Sequence, residues 1–186
     1  MDGTLTVSAH DFEHIRRELG IPPQKPILET LQAMPEAEAR PLWQALDEME
    51  YYYAGKSTVM HGAQELLQHL QDQGRQLAIL TRNTMPVVQQ TLAACEIDHF
   101  FPPNHILDRD SCTPKPSPDG IRHLLELWRA EVDDTVMVGD YRFDLEAGKA
   151  AGVATVHVAS RGDGENWSEF TDVRVDRLVE LMDYLV

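Results

Sequence analysis

Three carboxylates, one hydroxyl and one ammonium group stand at the ends of predicted strands or beside predicted helices in this chain. Asp2 lies in the opening turn, and Thr81 ends the apolar run QLAILT. Asp140 ends the run TVMVGD, with Asp144 four residues later. Lys115 lies in the loop sequence TPKPSP, directly before a predicted helix. Since ligands of an open parallel sheet bind beyond the carboxyl ends of its strands, we expect these five side chains to converge on one edge.

The chemistry of this set is that of metal-assisted phosphoryl transfer. Clustered carboxylates such as Asp2, Asp140 and Asp144 suit Mg²⁺, which takes oxygen ligands and usually keeps several waters. Thr81 and Lys115, together with free N–H groups at helix starts, suit the oxygens of a phosphoryl group. The sequence therefore predicts a site that holds a phosphoryl group beside a divalent cation.

The elements that would position these residues alternate between two hydrophobic periods from residue 61 onward. Apolar runs of strand length cover 76–81, 135–140 and 154–160. Stripes at helical spacing predict helices within 63–74, 88–95, 117–128, 143–152 and 178–185. Continuous apolar strands separated by single helices indicate parallel βαβ units with both sheet faces covered. The predicted fold class is α/β, with a Rossmann-like parallel sheet and helices on both faces.

Residues 9–58 carry a different pattern. Two stripes at helical spacing, with no strand pattern between them, are formed by Phe12, Ile15 and Leu19 and by Leu42, Ala45, Leu46, Met49 and Tyr53. Pro41 would kink the second helix unless it lies near its start. His10 and His14 have the i, i+4 spacing of a metal-binding pair, but on a surface helix we expect them to be exposed. We predict a small all-helical insertion at 9–58 in an α/β core formed by 1–8 and 59–186.

Composition narrows the class of protein. Of 186 residues, 42% are hydrophobic and 25% charged, which is typical of a globular domain rather than a disordered one. The formal net charge of −15 argues against binding to nucleic acid or to anionic lipid. Two cysteines, Cys95 and Cys112, give no disulfide framework. Since neither a signal peptide nor a bilayer-spanning apolar run is recognised, we expect a cytoplasmic protein without a membrane partner.

The residues singled out above occur in the order and spacing of the haloacid dehalogenase superfamily. The matching motifs are DGTLT at 2–6, LTRN at 80–83, Lys115 within TPKPSPDG, and GDYRFD at 139–144. The helical insertion after the first motif resembles the small α-helical cap of phosphoglycolate phosphatases. This resemblance, which covers essentially the whole chain, implies a Mg²⁺-dependent phosphatase that acts on a small phosphorylated metabolite.

The resemblance also implies a role for each matching residue. Asp2 corresponds to the general acid/base, and its backbone carbonyl to a Mg²⁺ ligand. Thr81 corresponds to the hydroxyl that hydrogen-bonds the phosphoryl oxygen, and Arg82 and Asn83 join it as phosphate-binding positions. Lys115 would neutralise charge on the nucleophile and on the phosphate. As a loop lysine it is expected to carry little packing, so that its replacement costs activity but not the fold.

Two further carboxylates complete the implied metal site. Asp140 would bind Mg²⁺ directly, while Asp144 would bind the metal or position its waters. The functional interpretation competes with a structural one, because a first-turn carboxylate such as Asp144 is also favoured by the helix dipole. The two acids together favour the functional interpretation.

The first motif departs from the superfamily pattern Asp-x-Asp-Gly-Thr. Met1 occupies the x position, so the nucleophilic aspartate and the apolar core strand that carries it are not among the printed residues. Either Met1 is an internal residue of a longer chain, or the protein is a true truncation without turnover. We favour the first interpretation, because loss of a central strand would uncover sheet edges while the other catalytic positions remain intact.

Three alternatives to a phosphatase follow from the same residues. A catalytically silent phosphate-binding protein would need no nucleophile. A sugar-phosphate mutase resembling β-phosphoglucomutase would need an acid/base in the insertion, and the sequence identifies none. A receiver-type signalling domain should show its acidic pair early and lack both the insertion and the late GDYRFD motif, so the sequence argues against it. Neither the substrate nor the oligomeric state is assigned by the sequence.

Overall fold

Short parallel strands form the centre of the fold. The computed structural model describes residues 1–159 and 167–184. Within them the strands are β1 (Thr6–Val7), β2 (Thr58–Val59), β3 (Ile79–Leu80), β4 (Ile106–Leu107), β5 (Val136–Gly139), β6 (Ala154–Val158) and β7 (Val173–Val175). β1 and β2 pair antiparallel, whereas β3 pairs parallel with β4, and β5, β6 and β7 pair parallel in that order. The predicted α/β fold with parallel strands is confirmed.

Helices cover these strands. In chain order they are α1 (Phe12–Glu18), α2 (Ile27–Gln32), α3 (Glu36–Ala54), α4 (Ala63–Asp72), α5 (Met85–Ala94), α6 (Asp119–Trp128) and α7 (Arg142–Ala151). The helices predicted between residues 63 and 152 are thus confirmed. α6 begins two residues after its predicted start at Ser117, because Pro118 occupies its N-cap. The terminal stripe forms a 3₁₀ helix, Leu178–Asp183, rather than an α-helix. Leu185 of that stripe and Ser160 of the predicted strand 154–160 lie outside the described residues.

The parallel strands form two separate sheets rather than one. Among the described residues, no strand pairs with the edge of β5 that faces away from β6. Val136, Met137 and Val138 are accordingly only partly buried, although the apolar run predicts a fully buried strand. The two sheets nevertheless share one apolar cluster, which contains Leu80 of β3 and Met137 of β5. β3, which pairs only with β4, likewise has one edge without a strand partner in the described parts of the chain.

The segment 9–58 is helical, as predicted, and packs around its own apolar cluster. The buried members of that cluster are Ile15, Leu19, Ile21, Leu31 and Leu46. Pro41 is the sixth residue of α3 and removes the hydrogen bond that its N–H would give to the Ala37 carbonyl. None of the helices in the described parts of the chain is long and apolar enough to cross a membrane.

Candidate active site

Asp2 lies in a tight opening turn at the carboxyl end of β3. The N–H groups of Thr4, Leu5 and Thr6 donate to the Met1 carbonyl at 2.8–3.2 Å and so close the turn. The Oδ1 atom of Asp2 accepts a hydrogen bond from the Thr6 hydroxyl at 3.1 Å. Its Oδ2 atom accepts one from Nδ2 of Asn83 at 2.6 Å. Two predicted site residues, Asp2 and Asn83, are therefore in direct contact.

Asp140 and Asp144 follow β5 and lie on two sides of the start of α7. The Thr4 hydroxyl donates to Oδ1 of Asp140 at 2.9 Å, which ties this carboxylate to the turn that carries Asp2. Asp144 is buried, and its Oδ2 atom accepts the N–H of Tyr141 at 3.1 Å. A side chain at Gly139 would place its Cβ 2.2 Å from Cβ of Asp144. Only glycine therefore lets Asp144 pack against the strand end.

Lys115 lies in the predicted loop but is buried, so the expectation that it carries little packing is wrong. Its side chain is 7% exposed. Nζ donates to Oδ1 of Asp144 at 2.5 Å and to the Leu80 carbonyl at 2.6 Å. The residue is drawn inward because a buried carboxylate and a carbonyl at the end of β3 both need a donor. Lys115 thus joins the end of β3 to the start of α7.

Thr81, Arg82 and Asn83 follow β3 but point in different directions. The Thr81 N–H donates to the Leu107 carbonyl at 2.9 Å, and its buried Oγ1 atom accepts the N–H of Asn83 at 3.2 Å. The Thr81 O–H is thereby left as a donor for another group. The Arg82 side chain instead pairs with Glu29 of α2 and lies over the Phe143 ring. In this triplet, Asn83 contacts Asp2, and Arg82 reaches the helical segment.

These contacts bring the predicted site residues together as linked pairs. Asn83 holds Asp2, Lys115 holds Asp144, and Thr4 joins Asp140 to the Asp2 turn. Within residues 1–159 and 167–184, no group of three or more His, Cys, Asp or Glu side chains is arranged to hold a metal ion. The assignment of Asp2, Asp140 and Asp144 as metal ligands therefore stays a prediction.

Sequence reasoning missed a second polar group, which lies between α3 and the loop after β4. Arg109 forms an ion pair with Asp47, and its Nη1 atom lies 3.8 Å from Oε2 of Glu50. The burial of Glu50 could have been predicted from the sequence, because Glu50 follows Leu46 by four residues and so falls on the apolar stripe of α3. A charged residue on a buried stripe indicates a polar partner across the interface.

His10 belongs to the same region and corrects another expectation. It precedes α1 instead of lying on it, and it is partly buried rather than exposed. Its Nδ1 atom is 2.7 Å from the Ser8 hydroxyl. Burial, the largest effect, lowers the pKa of His10, while the charge of Asp2 acts in the opposite direction. His14 lies on α1 and is also partly buried, with its Nδ1 atom 3.8 Å from Glu18, so neither histidine is fully exposed as expected.

Glu50 should make the stability of the protein depend on pH. Burial raises the pKa of its carboxyl to about 7, against an ordinary 4.5, with Asp47 and Asp2 adding to the rise and Arg109 opposing it. Between these two values the folded state keeps a proton that the unfolded state has lost, so stability falls as pH rises. Glu50→Gln should therefore raise the free energy of unfolding, and we expect this gain to be about 2 to 3 kcal/mol larger at pH 8 than at pH 5. Urea unfolding at several pH values measures it.

Glu48→Gln is the matched control, since Glu48 is exposed on the same helix. Its effect on the free energy of unfolding should stay within about 0.5 kcal/mol and should not change with pH. A gain from Glu50→Gln that is the same at pH 5 and pH 8 would show that Glu50 titrates like a solvated carboxylate.

Comparison with known proteins places the chain in a family. Residues 5–158 match the family model of haloacid dehalogenase-like hydrolases. Pyrophosphatase PpaX of Bacillus mycoides is 32% identical over 123 residues, which are 65% of this chain and 57% of that protein. Pyrophosphatase PpaX of Listeria monocytogenes is 29% identical over 146 residues, 73% of this chain and 67% of that protein. The alignment thus spans little more than half the length of the Bacillus relative.

Solved structures agree on the fold. A hydrolase from Pseudomonas syringae superposes with a TM-score of 0.80 and 20% identity over 99% of this chain and 94% of that one. CbbY from Rhodobacter sphaeroides, solved in complex with phosphate, gives a TM-score of 0.74 and 20% identity over 97% of this chain and 93% of that one. At such identities the likeness concerns the fold alone. Because the family model covers most of its residues, the chain belongs to the haloacid dehalogenase-like hydrolases.

Proposed function

We propose that this protein is a Mg²⁺-dependent phosphatase that hydrolyses a small phosphorylated metabolite through an aspartyl-phosphate. In this proposal residues 9–58 form a small helical cap over the site. The observation that carries it is the buried Lys115, whose Nζ atom is fixed by Asp144 and by the Leu80 carbonyl at the carboxyl end of β3. A buried ammonium group at the end of the strand that Thr81 follows suits a phosphoryl group. The naming of two relatives as pyrophosphatases supports the same chemistry.

Phosphate binding would be the task of the residues that follow β3, together with Lys115. The Thr81 O–H and the backbone N–H of Arg82 would donate to phosphoryl oxygens, and Lys115 would offset their negative charge. These donors are held in place before the substrate arrives, because Thr81 and Lys115 are both buried and hydrogen-bonded. Preorganised donors stabilise charge that develops in the transition state without a cost of reorganisation.

Proton transfer would be the task of Asp2. In the proposed reaction a nucleophilic aspartate, which would stand directly before Met1, attacks phosphorus, and Asp2 protonates the departing oxygen. Asp2 then takes a proton from the water that hydrolyses the aspartyl-phosphate. The hydrogen bonds from Asn83 and Thr6 hold this carboxylate in one orientation. Orientation of this kind is what an acid/base group needs in both steps.

Mg²⁺ would be held by the backbone carbonyl of Asp2 and by the Asp140 carboxylate, with Asp144 binding it or positioning its waters, and would neutralise charge on the phosphoryl group. Asp140 and the Asp2 turn offer hard oxygen donors, and one or two carboxylates with waters are enough for this ion. Asp144 already accepts a hydrogen bond on each oxygen, from Lys115 and from the Tyr141 N–H. This pairing supports an indirect role for Asp144, in positioning waters and Lys115.

Asp140→Asn should weaken Mg²⁺ binding and abolish phosphatase activity. The substitution keeps the size of the side chain and removes one negative charge from a site for a hard cation. We expect at least about a tenfold loss of Mg²⁺ affinity by titration calorimetry. Asp133→Asn, which alters an exposed carboxylate before β5, should leave the affinity unchanged. Unchanged affinity in Asp140→Asn would refute the metal assignment.

Turnover of p-nitrophenyl phosphate with and without Mg²⁺ tests the function as a whole. When an apolar strand that ends in aspartate precedes Met1, the chain should release p-nitrophenol only when Mg²⁺ is present, and its Lys115 and Asp140 variants should lose this activity. A chain that binds phosphate and Mg²⁺ but shows no turnover, even with an aspartate supplied before Met1, would be a phosphate-binding protein instead.

A further inference from the structure

Two side chains of the described part of the chain hold the Asp2 carboxylate, one on each oxygen. The Thr6 hydroxyl donates to Oδ1 at 3.1 Å, and Nδ2 of Asn83 donates to Oδ2 at 2.6 Å. An ionised carboxylate only accepts hydrogen bonds, so the Asn83 amide must turn its nitrogen and not its oxygen toward Asp2. The two oxygens of Asp2 therefore meet donors of different kinds, an amide N–H and a hydroxyl.

The two donors respond differently when Asp2 gains a proton. An amide N–H only donates, whereas a hydroxyl can turn and either donate or accept. A proton on Oδ2 would weaken the hydrogen bond from Asn83, because a protonated oxygen is a poorer acceptor than a carbonyl or carboxylate oxygen. A proton on Oδ1 preserves both contacts, since the Thr6 hydroxyl then accepts where it had donated. Oδ1 is thus the atom at which Asp2 can gain and lose a proton without moving.

The backbone of Asn83 is fixed by the loops that follow two neighbouring strands. Its N–H donates to the Thr81 hydroxyl oxygen at 3.2 Å. Its carbonyl accepts the N–H of Arg109, which follows β4, at 3.0 Å. Thr81 itself is buried at the end of β3. Asn83 therefore sets the position of Asp2 relative to Thr81, the residue proposed to bind a phosphoryl oxygen.

We propose that Asn83 is a positioning residue for Asp2 rather than a phosphate ligand, and that Asp2 exchanges its proton at Oδ1. The inference rests on the proposed function, in which Asp2 protonates the departing oxygen. It replaces the phosphate-binding role that the family resemblance implies for Asn83. The Asn83 amide would have to release the acid/base group in order to turn toward a phosphoryl oxygen.

Two phosphate esters with different leaving groups test the role of Asn83. A p-nitrophenolate ion departs without a proton, whereas the more basic phenolate ion depends on an acid that protonates it. In the chain preceded by an apolar strand that ends in aspartate, Asn83→Ala should lower kcat/KM for phenyl phosphate by about 10- to 100-fold. It should lower kcat/KM for p-nitrophenyl phosphate by less than about threefold. This quantity covers the steps up to departure of the leaving group and excludes the later hydrolysis of the aspartyl-phosphate.

Alanine removes only the side-chain contact of Asn83. The backbone hydrogen bonds to Thr81 and from Arg109 remain, so the loops stay joined. Asn104→Ala, which alters an exposed asparagine before β4, is the matched control and should change neither rate. An equal loss on both esters, which a merely structural role would cause, overturns the inference, as does an unchanged rate on phenyl phosphate.

Thr6→Val tests the assignment of the proton to Oδ1. Valine has a similar shape but can neither donate nor accept a hydrogen bond, so kcat/KM for phenyl phosphate should fall by about 3- to 10-fold relative to p-nitrophenyl phosphate. Thr6→Ser, which keeps the hydroxyl, should restore the ratio. An unchanged ratio in Thr6→Val would show that the proton is not exchanged at Oδ1.

Binding of orthophosphate to the printed chain tests whether Asn83 is a phosphate ligand and needs no turnover. In titration calorimetry Asn83→Ala should change the affinity by less than about twofold, whereas Thr81→Val should weaken it by about tenfold. Equal weakening in the two variants would make Asn83 a phosphate ligand and overturn the inference.

The inference and the proposed function fail in different ways. If the extended parent chain hydrolyses neither ester, the phosphatase is rejected, and the acid/base role of Asp2 with it. If the parent hydrolyses both esters and Asn83→Ala lowers both rates equally, only the positioning role of Asn83 is rejected.

Discussion

The printed 186 residues should hydrolyse p-nitrophenyl phosphate roughly 10³ to 10⁶ times more slowly than the same chain preceded by an apolar strand that ends in aspartate. The proposed nucleophile is the aspartate that this strand would place directly before Met1. Asp2 cannot replace it, because Asp2 handles protons in the proposed mechanism and is held by Asn83 and Thr6. Measurement of kcat for both chains at saturating Mg²⁺ checks the prediction.

The added strand should also raise the melting temperature by several degrees. The edge of β5 that faces away from β6 is open to pairing within the described residues, and Val136 and Val138 are only partly buried. A strand paired there would satisfy backbone groups and cover these side chains. The same extension ending in asparagine is the matched control: it should keep the gain in melting temperature and lose the gain in rate. Robust turnover by the printed residues alone would show that the nucleophile, and with it the mechanism, is wrong.

Most of residues 61–159, apart from β4, could be predicted well from sequence because local and tertiary signals agree there. α4 shows its apolar stripe over almost three turns, and α7 ends at Gly152, which adopts a φ of 87°. The βαβ order then places Thr81 and Asp140 at strand ends, where the structure has them. The pairing of β5 could not be predicted, since an apolar run looks the same in a central strand and in an edge strand.

Short elements and long-range polar contacts escaped prediction. α2 has six residues and β4 has two, which is too short for either hydrophobic period to show. The burial of Glu50 depends on Arg109, which comes from a different element far along the chain. Nothing in the sequence indicates that the Arg109 side chain turns toward α3 instead of toward solvent. Such pairs are set by tertiary packing rather than by local propensity.

Lys115→Ala should destabilise the fold by about 3 to 5 kcal/mol, which corresponds to a fall in melting temperature of roughly 10 °C. The substitution would leave Asp144, whose side chain is 10% exposed, as a buried carboxylate without its cation. It would also leave the Leu80 carbonyl without its donor. Lys149→Ala is the matched control, because Lys149 pairs with Asp172 at a more exposed position, and we expect it to cost less than about 1 kcal/mol.

A double variant separates the structural role of Lys115 from its role in phosphate binding. In Lys115→Met with Asp144→Asn both charges are gone, so most of the lost stability should return. Phosphate affinity should not return, because the ammonium group that is proposed to bind the phosphoryl group is still missing. Urea unfolding and phosphate titration of the single and double variants measure the two effects. A cost for Lys115→Ala no larger than that for Lys149→Ala would mean that Lys115 is a solvated loop residue in solution. If the double variant bound phosphate like the parent chain, Lys115 would be a structural cation only.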